Sequence, residues 1–173
     1  MGLIRTSVVE DAFFGEMEIL TDDHRGTVEV SGPSVPTVVI RRIPGGQVDR
    51  FVPIGSRRPE DLTMTVDTAT VEIVPGPGKW TRGSYRVRVT TPEADYLFKP
   101  NSIATTGLVR NGTKLADFSM DDDEGDFIVY WIQERRNVLP ADAAIGYALS
   151  VAFRTGAMGF FSLLTRGAEA LPQ

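Results

Sequence analysis

The stretch from Leu139 to Phe153 reads Leu-Pro-Ala-Asp-Ala-Ala-Ile-Gly-Tyr-Ala-Leu-Ser-Val-Ala-Phe, and it decides the fold. Pro140 suits the first turn of a helix, where its missing N–H group would have no intrahelical partner, and Asp142 lies near the positive end of the helix dipole. Only one charge follows between residues 143 and 165. We therefore predict a helix over residues 140–163 with apolar side chains all around its axis.

A helix that is apolar on every side is either enclosed by protein or dissolved in lipid. The segment is long enough to span a bilayer, so length alone leaves both alternatives open. Arg154 lies near its midpoint, and a central arginine costs about 2.5–3.5 kcal/mol on membrane insertion. Three glycines in the same segment add little hydrophobicity to offset that cost. The sequence therefore favours an enclosed helix.

The residues before this helix predict a succession of short β-strands. Turn-forming residues recur along the chain, and the segments between them are rich in β-branched side chains. The predicted strands include residues 27–30, 38–40, 47–54, 70–73 and 85–89, and the Pro-Gly-Pro-Gly segment at residues 75–78 interrupts the series. In residues 85–89 apolar side chains alternate with Arg86 and Arg88, which predicts one buried face and one face that carries arginine.

Two hairpins are predicted towards the end of the strand series. Asn111-Gly112 supplies the two positive-φ residues of a type I′ turn. A second hairpin is predicted through the acidic segment Asp121–Asp126 into the run Phe127–Ile132. That run is apolar on both faces, so we expect other elements to cover each side.

Composition limits the chemistry of the chain. Its 173 residues are 42% hydrophobic and include no cysteine and one histidine, which excludes disulfides, thiol catalysis and cysteine-ligated metal sites. No nucleophile, base and orienting group can be assembled around His24, so we predict a protein that is not an enzyme and needs no cofactor. We expect a single domain over residues 1–165 and a short tail over residues 166–173.

About a dozen short strands followed by one apolar helix predict a mainly β fold: a closed barrel of about twelve strands with the helix through its centre. Closure removes the sheet edges, and the helix fills the lumen. The end of the chain resembles the tubby C-terminal-like superfamily, which includes phospholipid scramblases and LURP-related proteins. The hairpin over residues 107–119, the strand over residues 126–132 and the segment Leu139–Phe153 carry this resemblance. It covers residues 84–163 by pattern and the rest by strand count.

The resemblance implies lipid association rather than catalysis, because tubby domains bind phosphoinositide headgroups through basic residues. The charge pattern offers candidates for that role. Residues 41–114 hold twelve basic and seven acidic residues, and both flanking segments are acidic within a chain of net charge −5. The candidate binding residues are Arg41, Arg42, Arg86, Arg88 and Lys99. The alternative interpretation is that these charges form only a solvated exterior.

The expected partner is an anionic phospholipid surface or a membrane-associated protein, and not nucleic acid, because the chain is acidic overall. Two alternatives remain open: a carrier of a small apolar ligand, which needs a lumen that the helix does not fill, and a structural or interaction protein. The start of the chain lacks the apolar core of a secretory signal, so we expect a cytoplasmic protein, and peripheral attachment to a membrane is compatible with that location.

Three further features of the sequence are an aromatic residue in a loop, the single histidine and a run of acidic residues. We expect Trp80, in a loop, to pack over the barrel end, and its alternative role is an anchor at an interface. His24 lies beside two aspartates in what we interpret as a surface turn. The run Asp121–Asp126 is interpreted as a solvated turn, because it lacks the spacing of an EF-hand calcium loop.

Overall fold

A computed structural model describes residues 2–120 and 127–155. They form eleven strands and one α-helix. The strands are β1 (Ile4–Asp11), β2 (Gly15–Asp22), β3 (Thr27–Gly32), β4 (Val35–Arg42), β5 (Leu62–Val66), β6 (Ala69–Pro75), β7 (Val87–Thr90), β8 (Asp95–Pro100), β9 (Thr105–Arg110), β10 (Thr113–Met120) and β11 (Phe127–Trp131), and the helix is α1 (Pro140–Phe153). Three short 3₁₀ turns lie at Pro59–Asp61, Arg82–Tyr85 and Arg135–Asn137.

The strands form one sheet in which each strand pairs antiparallel with the next along the chain. The sheet curls into a nearly closed barrel, which confirms the predicted mainly β architecture with a C-terminal helix. The barrel has eleven strands where about twelve were predicted. Because this number is odd and direction alternates, β1 and β11 run in the same direction at the two edges.

The helix α1 runs through the interior of the barrel. Ile145 and Leu149 are fully buried, and so are Ala144, Ala148 and Ala152. Tyr147 contacts Phe118 of β10 and Phe127 of β11 with ring centroids 5.5 and 5.7 Å apart. Strands therefore surround the helix, which confirms the enclosed alternative. Within the described part of the chain, no helix combines the length and the apolar character that a bilayer crossing requires.

The helix is shorter than predicted. It ends at Phe153, and Arg154 follows with a φ of 64°, a left-handed value that breaks the run of helical hydrogen bonds. The part of the prediction that concerns residues 156–163 lies outside the described residues, as does the tail over residues 166–173. The apolar composition predicted the presence of the helix correctly, but it does not indicate the residue at which the helix ends.

Two buried carboxylates fasten the start of the helix to the barrel wall. Asp142 accepts hydrogen bonds from the Tyr96 hydroxyl at 2.6 Å and from the Leu139 N–H at 2.7 Å, and it forms an ion pair with Arg110. Asp11, at the end of β1, accepts from the Trp131 indole at 3.0 Å. This second contact joins β1 to β11, the two edges of the sheet.

One predicted strand, residues 47–54, is wrong. The chain there forms a looped connection between β4 and β5, in which the Asp49 N–H donates to the Gly55 carbonyl at 2.7 Å. Ile54 is buried, and its N–H donates to the carbonyl of Ala152 in the helix at 3.0 Å. The apolar residues that suggested a strand instead place this loop over the end of the helix.

The prediction that β11 is covered on both faces is also wrong. Ile128 and Tyr130 are 60% and 70% exposed on its outer face. Phe127, Val129 and Trp131 alternate with them and pack towards the core. The strand lies in the barrel wall, so only its inner face meets the helix.

The first predicted hairpin is confirmed. Asn111 and Gly112 have φ values of 48° and 83°, as a type I′ turn requires, and β9 pairs with β10 on either side of them. The strands of the second hairpin, β10 and β11, also pair antiparallel. Their connection, Asp121–Asp126, lies outside the described residues, and so does the interpretation given to it.

Candidate functional site at the loop end of the barrel

The longest described connections of the barrel lie at the end where α1 finishes. We define the loop end by the two longest, residues 43–61 between β4 and β5 and residues 76–86 between β6 and β7, together with the short connection of residues 101–104 between β8 and β9 at the same end. Large apolar side chains are exposed there, namely Ile43, Val48, Phe51, Trp80 and Ile103. The five hairpin turns at the opposite end hold two acidic residues and no lysine or arginine, whereas residues 76–86 hold three basic residues and no acidic one.

Trp80 is 85% exposed and has a φ of 68°, a backbone conformation that is uncommon for a bulky residue. Ser84 holds the connection in this shape. Its hydroxyl accepts the N–H of Lys79 at 2.8 Å and donates to the carbonyl of Thr81 at 2.6 Å, so it closes the loop around the tryptophan. The prediction that Trp80 packs over the barrel end is wrong. Its ring is exposed to solvent, and Lys79 and Arg82 lie close to it in the sequence.

A cavity of about 230 Å³ opens at the loop end, beside the last turn of α1. Its lining combines residues from both long connections with residues from the end of the helix. The cationic members are Arg57, Lys79 and Arg154, and the acidic member is Asp49. The cavity is therefore positively charged, although the whole chain is acidic.

Arg57 is the most constrained of these cations. Its guanidinium lies 5.1 Å from the ring centroid of Tyr85 and 5.4 Å from that of Phe153. One of its five N–H groups donates to the Gly76 carbonyl, at 3.2 Å. Among the described residues it forms no ion pair, and burial lowers the pKa of Arg57 from its ordinary value to about 10, against the opposing effects of Tyr85 and Asp49.

Tyr85 contributes an unused hydrogen-bonding group. Within the described residues, its hydroxyl is the one buried side-chain polar atom without a hydrogen-bond partner. Burial raises the pKa of Tyr85, and the nearby Arg57 opposes that shift, so the phenol keeps its proton at neutral pH. A buried hydroxyl without a partner costs about 1–3 kcal/mol, and it lies beside a cation that forms no ion pair among the described residues.

Gly78 allows Arg57 to occupy this position. Its φ is 66°, and a Cβ atom added there would lie 2.7 Å from Cδ of Arg57. Any other residue would suffer backbone strain and would also push against the arginine side chain. The glycine in the Pro-Gly-Pro-Gly segment therefore has a second role besides interrupting the strands.

A wider groove of about 830 Å³ lies next to the cavity and shares Arg57 and Lys79 with it. Arg50 and Arg58 also line the groove. Glu60 lies 2.7 Å from the guanidinium of Arg58 and neutralises it, whereas Arg50 contacts the ring of Phe51 at 5.0 Å. The groove and the cavity together form a continuous recess with a basic floor.

The five binding residues predicted from sequence do not lie together in this recess. Arg41 is exposed on β4, Arg88 on β7 and Lys99 on β8. In the sheet order, β5 and β6 separate Arg41 from Arg88. Arg88 and Lys99 are on adjacent strands of the outer wall, and they remain candidates whose binding role stays a prediction.

The other two predicted residues hold the loops in place. Arg42 donates to the carbonyl of Ile54 at 2.8 Å and to that of His24 at 3.0 Å. Arg86 donates to the carbonyl of Gly83 at 2.9 Å. His24 lies in a turn that Asp22 caps through its carboxylate at 3.1 Å, which confirms the surface turn. No cluster of three or more potential metal ligands occurs in residues 2–120 and 127–155.

Sequence reasoning missed Arg57, Tyr85 and Arg154. Arg57 and Tyr85 are 28 positions apart in the chain, and no local pattern relates them. The one usable signal was the segment Pro75–Trp80, in which prolines and glycines precede Lys79-Trp80. Such a loop is too irregular to serve only as a hairpin turn.

The chain matches no family model, and no curated protein or solved structure is detectably similar to it. The resemblance to the tubby-like superfamily therefore rests on the sequence pattern alone. The arrangement of side chains at the loop end is the observation from which a function can be argued.

Proposed function

We propose that this protein is a non-catalytic barrel that attaches to the surface of anionic phospholipid membranes through its loop end. The observation that carries the proposal is Trp80, which is 85% exposed between Lys79 and Arg82. Tryptophan favours the interface between lipid headgroups and acyl chains. Basic residues beside it are attracted to anionic lipids by about 1 kcal/mol each.

The neighbouring residues support the same orientation. Phe51, Val48 and Ile103 are exposed at this end of the barrel, and Arg50 and Lys79 lie among them. Exposed apolar side chains combined with basic ones are typical of surfaces that lie in the membrane interface.

The alternative of an apolar-ligand carrier is less well supported. It requires an open lumen, and the residues of α1 that face the strands, Ile145 and Leu149 among them, are fully buried. The two cavities described above lie at the loop end rather than inside the barrel. A protein-interaction role would use the same exposed residues, and lipid binding is the test that separates the two.

Sedimentation with vesicles tests the proposal. Binding to phosphatidylserine vesicles should exceed binding to phosphatidylcholine vesicles at low salt. It should weaken as salt rises, because the Debye length falls from about 30 Å at 0.01 M to about 8 Å at 0.15 M. Absent or equal binding to both vesicle types would contradict membrane attachment and would favour a protein partner.

A further inference from the structure

We infer that the cavity beside the end of α1 is a binding site for a phosphate dianion, either inorganic phosphate or a phosphate monoester, held by Arg57, Lys79 and the Tyr85 hydroxyl. When the phosphate belongs to a lipid headgroup, the inference rests on the proposed function and deepens it. A soluble phosphate tests the site by itself.

The net positive charge of the side chains that line the cavity favours the binding of a dianion. Arg57, Lys79 and Arg154 line it against a single carboxylate, Asp49. That carboxylate already accepts the N–H of Phe51 at 2.9 Å, and it makes no ion pair within 4.0 Å among the described residues. Among the residues that the structure describes, two positive charges therefore remain without compensation, and a phosphate monoester carries between one and a half and two negative charges at neutral pH.

The donors in the cavity match phosphate oxygens. Arg57 has four N–H groups that donate to no described residue, and a guanidinium binds phosphate through two parallel hydrogen bonds. The Tyr85 hydroxyl is buried and has no partner. An anion that accepts from both would satisfy the hydroxyl and form the close ion pair that Arg57 does not make among the described residues.

The size of the cavity limits what enters it. Pockets for drug-sized ligands are about 300–1,000 Å³, so a space of about 230 Å³ suits a small anion or the end of a larger molecule. The adjoining groove of about 830 Å³ has room for the remainder of a phosphate ester. The geometry therefore fits a terminal phosphate better than a phosphate that is buried within a diester backbone.

The experiment titrates the full chain with inorganic phosphate and with glycerol phosphate, against sodium chloride of equal ionic strength. Melting temperature and the NMR shifts of the Arg57 Nε–H and the Gly78 amide report binding. The test variants are Tyr85→Phe, which removes only the hydroxyl, and Arg57→Lys, which keeps the charge and removes the paired donors. Arg136→Gln, which changes an exposed cation in the turn before α1, is the matched control.

We expect phosphate to raise the melting temperature of the wild-type protein more than chloride does, and to shift both NMR signals. Loss of a hydrogen bond to a charged group corresponds to about a 10- to 100-fold loss of affinity, and we expect this for each test variant. Arg136→Gln should bind like the wild type. Tyr85→Phe keeps the inference testable if Arg57→Lys does not fold, because it leaves the ring under the guanidinium.

Equal effects of phosphate and chloride on the wild type would overturn the inference, and so would wild-type affinity in both test variants. Vesicles that contain phosphatidic acid separate the two proposals. Phosphate binding that Tyr85→Phe weakens, without any vesicle binding, would support the phosphate site and contradict membrane attachment. Vesicle binding that Tyr85→Phe leaves unchanged, without a phosphate effect, would support membrane attachment and overturn the site.

Discussion

The hydroxyl of Tyr147 donates a hydrogen bond of 2.8 Å to the carboxylate of Asp11, 136 positions earlier in the chain. The same carboxylate accepts the indole N–H of Trp131 and the backbone N–H groups of Phe13 and Phe14. One buried acid thus connects the first strand, the last strand and the central helix. It joins the two edges of the barrel where no strand pairing does so among the described residues.

Replacement of Asp11 by alanine should strongly destabilise the protein. Four donors would lose their acceptor inside the barrel, and each hydrogen bond to a charged group contributes about 1.5–3 kcal/mol. We expect the free energy of unfolding to fall by more than about 3 kcal/mol in a urea titration. The neighbouring Glu10 is exposed on β1, and Glu10→Ala should change stability by less than about 0.5 kcal/mol. Similar losses in both variants would mean that Asp11 does not join the edges.

Leu149 is fully buried, and Phe153 is nearly so. Truncation of either to alanine should lower the free energy of unfolding by about 2–5 kcal/mol, because the surrounding strands cannot collapse onto the cavity that results. Thermal and urea unfolding measure the loss. Unchanged stability in both variants would show that the helix is not enclosed.

Gly146→Ala should also be destabilising, although alanine is the better helix former. A Cβ atom at this position would lie 2.3 Å from Cζ of Phe118, whose ring is fixed between Phe98, Trp131 and Tyr147. Overpacking of this kind costs about 1–3 kcal/mol. In a protein that already carries Phe118→Leu, Gly146→Ala should lower the free energy of unfolding by less than it does in the wild type. Additive losses in the double variant would argue against the clash.

Stability should decline in alkaline solution. Burial raises the pKa values of Tyr96 and Tyr147 well above the ordinary value of 10, and their hydrogen bonds to Asp142 and Asp11 add to the shift. The unfolded chain releases these protons above about pH 10 while the folded chain keeps them, so the free energy of unfolding falls as pH rises from there. Each tyrosine contributes a slope of up to about 1.4 kcal/mol per pH unit.

Urea unfolding at pH 9, 10 and 11 measures this slope. Tyr147→Phe should make it shallower, because the substituted side chain has no proton to release. Tyr130 is exposed on β11, so Tyr130→Phe is the matched control and should leave the slope unchanged. A slope that is equal in all three proteins would contradict the role given to the buried tyrosines.

Membrane attachment should depend on the loop end and not on the wall. Lys79→Gln combined with Arg82→Gln should weaken binding to phosphatidylserine vesicles by about 10- to 30-fold, since each charge contributes about 1 kcal/mol. Arg88→Gln combined with Lys99→Gln removes the same charge from the outer wall and should have a much smaller effect. A larger effect of the Arg88→Gln and Lys99→Gln pair would instead assign binding to the residues predicted from the sequence.

Trp80→Ser should abolish most of the vesicle binding and leave thermal stability unchanged, because the side chain is almost fully exposed. Quenching of tryptophan fluorescence by brominated lipid reports whether the ring enters the bilayer. Tyr130→Ser, which removes an exposed aromatic ring from the wall, is the control for lost apolar surface. Wild-type binding by Trp80→Ser would show that the tryptophan is not the anchor.

The sequence by itself determined those features that depend on neighbouring residues. Alternation in residues 85–89 predicted β7, although the strand begins at Val87 and Tyr85 lies in a 3₁₀ turn. Asn111-Gly112 predicted the hairpin of β9 and β10, and the apolar run after Pro140 predicted an enclosed helix. Each follows from local backbone preference or from the period at which apolar side chains recur. The order of these elements was enough to predict a barrel around a helix.

Tertiary structure alone decided where the helix ends, why residues 47–54 are not a strand and which cations face the recess. Arg57, Tyr85 and Arg154 come from three separate segments, and they meet only because the barrel brings its long connections together over the last turn of α1. The sequence alone does not distinguish an exposed arginine from an arginine that is held beside an aromatic ring. Burial, partners and counter-charges distinguish them, and these depend on contacts between residues that are distant along the chain.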